Sequence, residues 1–140
     1  MELKIIAENP ELMPKKAHET DACFDLYSAK ECVVPAVGTA PISTGIKMSI
    51  PEGYYVEIRS RSGLAFKYGV TAFNGTIDCG YLDTVYILLE NNSINPYHVH
   101  KGDKIAQFRM CKLEPTEISS VKEFDTGILN RGGGFGSTGR

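Results

Sequence analysis

The sequence predicts an all-β domain of the jelly-roll, barrel or sandwich type, with at most one short helix and a flexible C-terminal tail. Short alternating or apolar runs recur along the chain, and Gly, Pro and Asn separate them. A helical spacing of apolar residues is found only around residues 61–67. Many short strands at such intervals are typical of sandwiches and barrels.

Six strands are predicted in the first half of the chain, and turn-forming residues separate them. The runs are rich in Val, Ile, Tyr and Phe, which favour extended backbone. The tetrapeptides PAVG at 35–38 and IPEG at 50–53 combine Pro with Gly and indicate turns. The predicted strands are residues 3–7, 24–28, 32–34, 39–43, 46–49 and 54–60.

Six further strands are predicted after a possible helical turn at residues 61–67. Their boundaries follow from Asn-Gly at 74–75, NNSINP at 91–96 and KGD at 101–103, which all favour tight turns. The predicted strands are residues 69–72, 75–77, 84–90, 97–99, 105–113 and 118–121.

Length and charge exclude several classes of protein. The 140 residues correspond to one domain, which we expect over residues 1–125, followed by a flexible glycine-rich segment over residues 126–140. A formal net charge of −2 argues against a DNA or RNA polymer as ligand. No apolar run approaches the roughly 20 residues of a membrane span, and no signal peptide is seen. We therefore expect a soluble, intracellular protein, in the cytoplasm of a bacterium or of a virus-infected host cell.

The cysteines do not indicate a metal site. Cys23, Cys32, Cys79 and Cys111 are scattered and form no CxxC pair, so we expect reduced thiols packed in the domain.

The segment VEIRSRSGLA at residues 56–65 can bind a phosphate. Ser62 and Gly63 stand where the strand ends and a possible helix begins. Free backbone N–H groups and a hydroxyl there can donate hydrogen bonds to an anion, with Arg61 adding positive charge. Taken alone, the segment is better explained as a polar strand face and a Ser cap.

The segment NGTIDCGYLD at residues 74–83 places a carboxylate between two tight turns. Asn74-Gly75 and Cys79-Gly80 bracket Asp78, and Tyr81 follows. Such a carboxylate can orient a water molecule beside a ring. More often an Asp in this position only bonds its own backbone.

The last ten residues, RGGGFGSTGR, include five glycines. Fixing ten residues costs on the order of 10 kcal/mol, so only a bound ligand can order them. Arg131, Arg140, Ser137, Thr138 and the glycine N–H groups would satisfy a polyphosphate, and Phe135 can cover a flat ring. A merely disordered tail is the alternative.

Five segments in order resemble the motifs of the trimeric dUTPases. They are ACFDLYSA (22–29), RSRSGLA (59–65), GTIDCGY (75–81), GDKIAQF (102–108) and RGGGFGSTG (131–139). The resemblance implies a dUTPase-like β-clip fold and Mg²⁺-dependent hydrolysis of dUTP to dUMP and pyrophosphate, which limits uracil in DNA and supplies dUMP for thymidylate synthesis. It also implies a homotrimer with sites shared between chains and the glycine-rich tail as a lid.

The resemblance also implies roles for individual residues. Asp78 would deprotonate the attacking water, and Asp25 would hold Mg²⁺ indirectly, through water. Tyr81 would pack on the deoxyribose, and Phe135 would stack on uracil. The other substrate-binding residues that the resemblance implies are Arg61, Ser62, Gly63, Asn74, Gly75, Ile77, Gln107, Arg131, Gly136, Ser137 and Thr138.

The chain differs from the family pattern at a few positions. Cys23 replaces the usual Gly, Ser60 the usual Pro, and Leu82-Asp83 the usual Arg-Gly, while the Arg131 to Phe135 spacing is one residue short. Two alternatives are a dCTP deaminase on the same fold, which needs a differently placed catalytic Glu, and a non-catalytic nucleotide-sensing module. Asp78 favours the hydrolase.

Overall fold

The computed structural model describes residues 1–139. Over these residues the chain forms eleven β-strands, one α-helix and one short 3₁₀ helix, which confirms the predicted all-β class. The helix α1 is Ser62–Tyr68, and the 3₁₀ helix is Pro10–Leu12. The strands are β1 (Lys4–Ala7), β2 (Phe24–Tyr27), β3 (Cys32–Val34), β4 (Gly38–Ser43), β5 (Ile46–Ser49), β6 (Tyr54–Arg59), β7 (Val70–Ala72), β8 (Thr76–Ile77), β9 (Tyr86–Asn91), β10 (Tyr97–Val99) and β11 (Lys104–Lys112).

The strands form four open, antiparallel sheets. The largest has the order β2-β11-β6-β8, and a second has the order β4-β9-β7. Two pairs, β1-β5 and β3-β10, complete the fold. Because β6 and β7 belong to different sheets and α1 connects them, the chain from β6 to β7 crosses from one sheet to the other.

The alternation of apolar and polar residues explains why these segments form strands. In β5, Ile46 and Met48 are buried, while Lys47 and Ser49 are exposed. This period of two directs one set of side chains to the core and the other to solvent. The core that results is a single apolar cluster, in which Phe108 is the largest fully buried side chain.

Eleven of the twelve predicted strands are confirmed, with ends shifted by at most two residues. The predicted strand at 118–121 is wrong: this segment has no strand structure, and Ile118 is 94% exposed. Its apolar residues have no sheet to join, and an extended segment without a hydrogen-bonded neighbour is not stable as a strand. The helical turn predicted at 61–67 is α1, which ends at Gly69 in the left-handed conformation (φ 68°).

The C-terminal part of the chain lies on the outside. β11 ends at Lys112, and residues 113–139 are all exposed. The domain boundary expected at residue 125 stays a prediction. No helix in the described part of the chain is long and apolar enough to cross a membrane.

Candidate active site

Strand register brings the first group of predicted residues together. β11 lies between β2 and β6, and Gln107 is paired with Asp25 on one side and with Arg59 on the other. Directly paired residues project to the same face of a sheet. Residues that are far apart in sequence therefore meet on one polar face, next to the start of α1.

This face opens into a cavity of about 400 Å³. We call it the phosphate cavity, because its wall contains Arg61, Ser62 and Gly63 of the segment for which the sequence indicates possible phosphate binding. Its lining residues include four predicted site residues besides Asp25, together with Lys104 and the loop that precedes β2. They are Ala17, Asp21, Ala22, Cys23, Asp25, Arg61, Ser62, Gly63, Lys104 and Gln107.

Two cations flank the carboxylate of Asp25, whose side chain is only 13% exposed. Arg61 Nε lies 3.5 Å from Asp25 Oδ1, and Lys104 Nζ lies 3.3 Å from Asp25 Oδ2. The paired charges offset the cost of burying a carboxylate. Arg61 and Lys104 can also bind an anionic ligand, and the carboxylates of Asp21 and Asp25 in the same wall balance their formal charge.

The start of α1 forms one wall of the phosphate cavity. Arg61 is the N-cap residue, with extended backbone (φ −95°, ψ 128°) and no capping hydrogen bond from its side chain. Ser62 is the first helical residue, so the Ser cap given as the alternative explanation of this segment is not formed by Ser62. A Cβ atom added at Gly63 would meet no atom within 4 Å, so the backbone there is open to a ligand.

The side chain of Gln107 is held in one orientation. Its Nε2 atom donates a hydrogen bond to the backbone carbonyl of Ser60 at 2.9 Å. The bond ties the centre of β11 to the residue that follows β6. The amide of Gln107 is therefore positioned in the cavity before any ligand arrives.

A second cavity, of about 250 Å³, lies along the hairpin that contains Asp78. We call it the hairpin cavity. Four of the predicted residues lie in its wall, and the rest of its lining comes from β6 and the residues around β8 and β9. The lining residues are Ile58, Gly75, Thr76, Ile77, Asp78, Tyr81, Val85 and Tyr86.

Hydrogen bonds and a glycine turn hold the hairpin in place. Tyr81 N–H donates to the Asp78 carbonyl at 3.2 Å, and Gly80 has a φ of 96°, which only glycine adopts readily. Cys79 Sγ donates to Ile50 O at 3.3 Å. Since the turn uses the backbone carbonyl of Asp78, the carboxylate of this residue is not needed to close the hairpin. Asp78 is exposed and lines the cavity.

The two cavities have no lining residue in common. Asn74 is exposed and lines neither cavity. The tail residues Arg131 and 135–138 also line neither, and Phe135 is fully exposed. Arg140 lies outside the described residues. One chain therefore brings the predicted residues together as two separate groups and leaves the tail apart from both.

Lys104 is a site residue that the sequence did not indicate. It is three positions from Gln107, and an odd separation places two residues on opposite faces of a regular strand. The pairing of β11 with β2 shifts by one residue between Lys104 and Ala106. This bulge turns Lys104 to the face of Gln107 and Asp25, and bulges have no reliable sequence signal.

The thiols differ in their surroundings. All four cysteines are free, as expected, but Cys79 is exposed, so its predicted packing in the domain is wrong. Cys32 is half-buried, and burial raises the pKa of its thiol. Among residues 1–139 no group of three or more His, Cys, Asp or Glu side chains could enclose a metal ion.

Known proteins are similar to this chain in both sequence and fold. A deoxyuridine 5'-triphosphate nucleotidohydrolase of Clostridium tetani (strain Massachusetts / E88) is 41% identical over 142 residues, covering 100% of this chain and 97% of that protein. The structure of the Staphylococcus bacteriophage 80alpha dUTPase with dUPNHPP is similar at a TM-score of 0.91 and 28% identity, over 99% of both chains. A mutant dUTPase from phage phi11 of S. aureus, described with a structural Mg(II) ion, has a TM-score of 0.83 and 29% identity, over 90% of this chain and 100% of that one.

The family model described as dUTPase matches residues 10–139, which is nearly the whole chain. Together with a relative of 41% identity over 97% of its length, this match shows that the chain belongs to the dUTPase family.

Proposed function

We propose that this dUTPase converts dUTP to dUMP and pyrophosphate with Asp78 as the general base, while the phosphate cavity holds the triphosphate. The observation that carries the proposal is the division of the site residues between two cavities of different character. One is polar and carries the cations Arg61 and Lys104. The other has both Asp78 and the aromatic residue Tyr81 in its wall.

The chemical step is an in-line displacement at the α-phosphorus. A water oxygen bonds to that phosphorus as its bond to the oxygen bridging the α- and β-phosphates breaks. Asp78 takes the proton of the water, and pyrophosphate leaves with the bridging oxygen. A carboxylate suffices as the base when cations stabilise the charge that develops on the phosphates.

The phosphate cavity supplies that stabilisation. Arg61 presents a guanidinium that can bond two phosphate oxygens at once. Ser62 and Gly63 contribute a hydroxyl and open backbone at the start of α1. Gln107, which Ser60 already holds, aligns the phosphate next to it. Positioning of this kind is a large part of catalysis in phosphate transfer.

We include Mg²⁺ in the proposal as an ion that arrives with the triphosphate. Asp25 is a single, nearly buried carboxylate in the phosphate cavity, and Mg²⁺ prefers oxygen ligands and keeps much of its water. The residues fit an ion held through water by Asp25 and not a cage of protein ligands. Bound there, Mg²⁺ would neutralise phosphate charge.

We propose that the hairpin cavity selects uracil and deoxyribose. β8 is the outermost strand of its sheet, and such an edge offers backbone N–H and C=O groups to a ligand. We propose that these groups of residues 75–81 pair with the edge of uracil. Cytosine would leave buried polar groups unpaired, and thymine would bring a methyl group that does not fit. Tyr81, packed on the deoxyribose, would exclude a 2′-hydroxyl.

We further propose a homotrimer in which each site combines the phosphate cavity of one chain with the hairpin cavity of another. Two cavities without a common lining residue support this arrangement. Residues 131–138 would close over the bound nucleotide, with Phe135 on the base and Arg131, Gly136, Ser137 and Thr138 at the γ-phosphate. The ligand would offset the entropy lost by this glycine-rich segment.

Release of pyrophosphate from dUTP, dCTP, dTTP and UTP, each with Mg²⁺ and with a chelator, tests the reaction. We expect release from dUTP with Mg²⁺ and little from the other three nucleotides. Equal release of pyrophosphate from dCTP or UTP would contradict the proposed selectivity for the base and the sugar. Bound dUTP without release would indicate a nucleotide-sensing module.

A further inference from the structure

Ser60 lies at the junction between β6 and α1. It follows Arg59, the last residue of β6, and precedes Arg61, the N-cap of α1. Its hydroxyl makes two hydrogen bonds with one residue across the fold: it accepts from Ala72 N–H at 2.9 Å and donates to Ala72 O at 3.2 Å. One side chain thus bonds both backbone groups of Ala72.

These bonds join two sheets. Ser60 continues from β6 in the sheet β2-β11-β6-β8, whereas Ala72 ends β7, the edge strand of the sheet β4-β9-β7. Ala72 is 5% exposed, so its N–H and C=O groups have little access to water. A buried backbone group needs a partner, and a hydroxyl can both donate and accept.

The backbone of the same residue holds Gln107, since Ser60 O accepts the bond from Gln107 Nε2 at 2.9 Å. Ser60 therefore connects β7 through its side chain and β11 through its carbonyl. Two residues that line the phosphate cavity, Arg61 and Ser62, follow directly in the chain. A shift of residue 60 would move all three cavity residues together.

We propose that Ser60 is a positioning residue for the triphosphate: its hydroxyl fixes the β6–α1 junction on β7, and thereby sets the places of Arg61, Ser62 and Gln107. The inference rests on the proposed function of the phosphate cavity. It concerns a position where the chain differs from the family pattern, in which Pro is usual. Proline has no hydroxyl, so the usual residue cannot make these bonds.

The proposal predicts a selective loss. Without the hydroxyl, the backbone of Ala72 loses its partner and the junction is free to shift. Binding of the β- and γ-phosphates then weakens. The hairpin cavity keeps its shape, because neither Ser60 nor Ala72 lines it. Ser60→Ala should therefore weaken binding of a triphosphate and leave binding of a monophosphate unchanged.

Calorimetric titration of the full chain with the non-hydrolysable analogue dUpNHpp and with dUMP tests this. For Ser60→Ala we expect Kd for dUpNHpp to rise by roughly five- to tenfold, the scale of a hydrogen bond, with Kd for dUMP unchanged. KM for dUTP should rise in parallel, with a smaller change in kcat. Ser60→Thr keeps the hydroxyl, so its Kd for dUpNHpp and its KM for dUTP should equal those of the unaltered chain.

Ser93 is a matched control. Its hydroxyl bonds both backbone groups of one residue, donating to Asn95 O at 3.0 Å and accepting from Asn95 N–H at 3.2 Å, and it also bonds Asn91 Oδ1 at 2.8 Å. It lines neither the phosphate cavity nor the hairpin cavity. Ser93→Ala should lower the thermal midpoint and leave both affinities unchanged.

Equal losses for dUpNHpp and dUMP in Ser60→Ala, or no loss for either, would overturn the inference. If Ser60→Ala does not fold, Ser60→Cys replaces the hydroxyl with a weaker donor, and dUpNHpp must then bind it less tightly than it binds Ser60→Thr. If the unaltered chain fails to bind dUpNHpp or to hydrolyse dUTP, the proposed function itself fails.

Discussion

Lys104 Nζ lies 3.3 Å from Asp25 Oδ2, although these residues are not opposite each other in the ladder of β2 and β11. Asp25 faces Gln107, and Lys104 faces Tyr27, with the register shift between the two pairs. The bulge therefore adds a cation to the phosphate cavity beside Arg61. Its charge assists the burial of Asp25, and in the proposed function it would also assist the binding of an anion.

We expect Lys104→Met to raise KM for dUTP by about two- to fivefold, because a partly exposed charge contributes up to about 1 kcal/mol. The effect should shrink as salt is added, since salt screens such charges. Steady-state kinetics over a range of ionic strength measures both. Lys101→Met, an exposed Lys outside both cavities, is the control. Identical kinetics for the two variants would show that Lys104 does not contribute to the binding of dUTP.

Asp78→Asn should fold and bind dUTP but turn it over at least about a hundredfold more slowly, the scale of a lost general base. Single-turnover measurements separate this chemical step from binding. Asp83→Asn removes another exposed carboxylate of the same hairpin and should keep its activity. Near-normal turnover by Asp78→Asn would show that another group activates the water.

Mixing two inactive variants tests whether chains share sites. If the phosphate cavity and Asp78 of one site come from different chains, Asp78→Asn and Arg61→Ala refolded together in equal amounts should form some intact sites. Random assembly predicts about a quarter of the wild-type activity. If each chain holds a complete site, the mixture stays inactive, because every site then carries one of the two defects.

Phe135→Ala should lower kcat/KM for dUTP by about tenfold or more, the scale of one base stacked on an aromatic ring. Phe124 is a matched control, since it is also an exposed aromatic residue of the C-terminal segment but lies outside the RGGGFGSTG motif. We expect Phe124→Ala to have little effect on kinetics. Equal effects of the two substitutions would argue against a specific stacking role.

Cys79 should react with iodoacetamide faster than Cys32. The thiolate is the nucleophile, and burial raises the pKa of Cys32, so less of its thiol is ionised at neutral pH. Cys79 is exposed and follows Asp78, so bound dUMP should slow its reaction. Peptide mass spectrometry follows both sites. Equal rates for the two thiols, or no protection by dUMP, would contradict this expectation.

Strand positions were predictable because they depend on local rules. Turn residues mark the ends of each strand, and apolar residues alternate with polar ones inside it, as Ile46 and Met48 in β5 illustrate. The strand expected at 118–121 shows the limit of that reasoning. Its apolar residues match the pattern of a strand. A strand also needs a hydrogen-bonded neighbour, and the local sequence does not indicate whether a neighbouring strand is present.

The individual site residues were predictable only through the resemblance to a family, since each segment alone was as well explained by an ordinary turn, cap or strand face. Gln107 illustrates this: alternation placed it on a strand face, but its pairing with Asp25 depends on the register of β2 and β11. Register follows from core packing across the whole sheet.

The sequence by itself determined the all-β class and the order of the strands along the chain, because hydrophobic period and turn residues are local properties. Its motifs also predicted the residues proposed to carry the chemistry. Only the tertiary structure decided that Lys104 reaches Asp25, that Ser60 bonds Ala72, and that Asp78 lies in a cavity separate from Arg61. These relationships depend on a bulge, a crossing between sheets and a strand register, which arise when distant segments pack against one core.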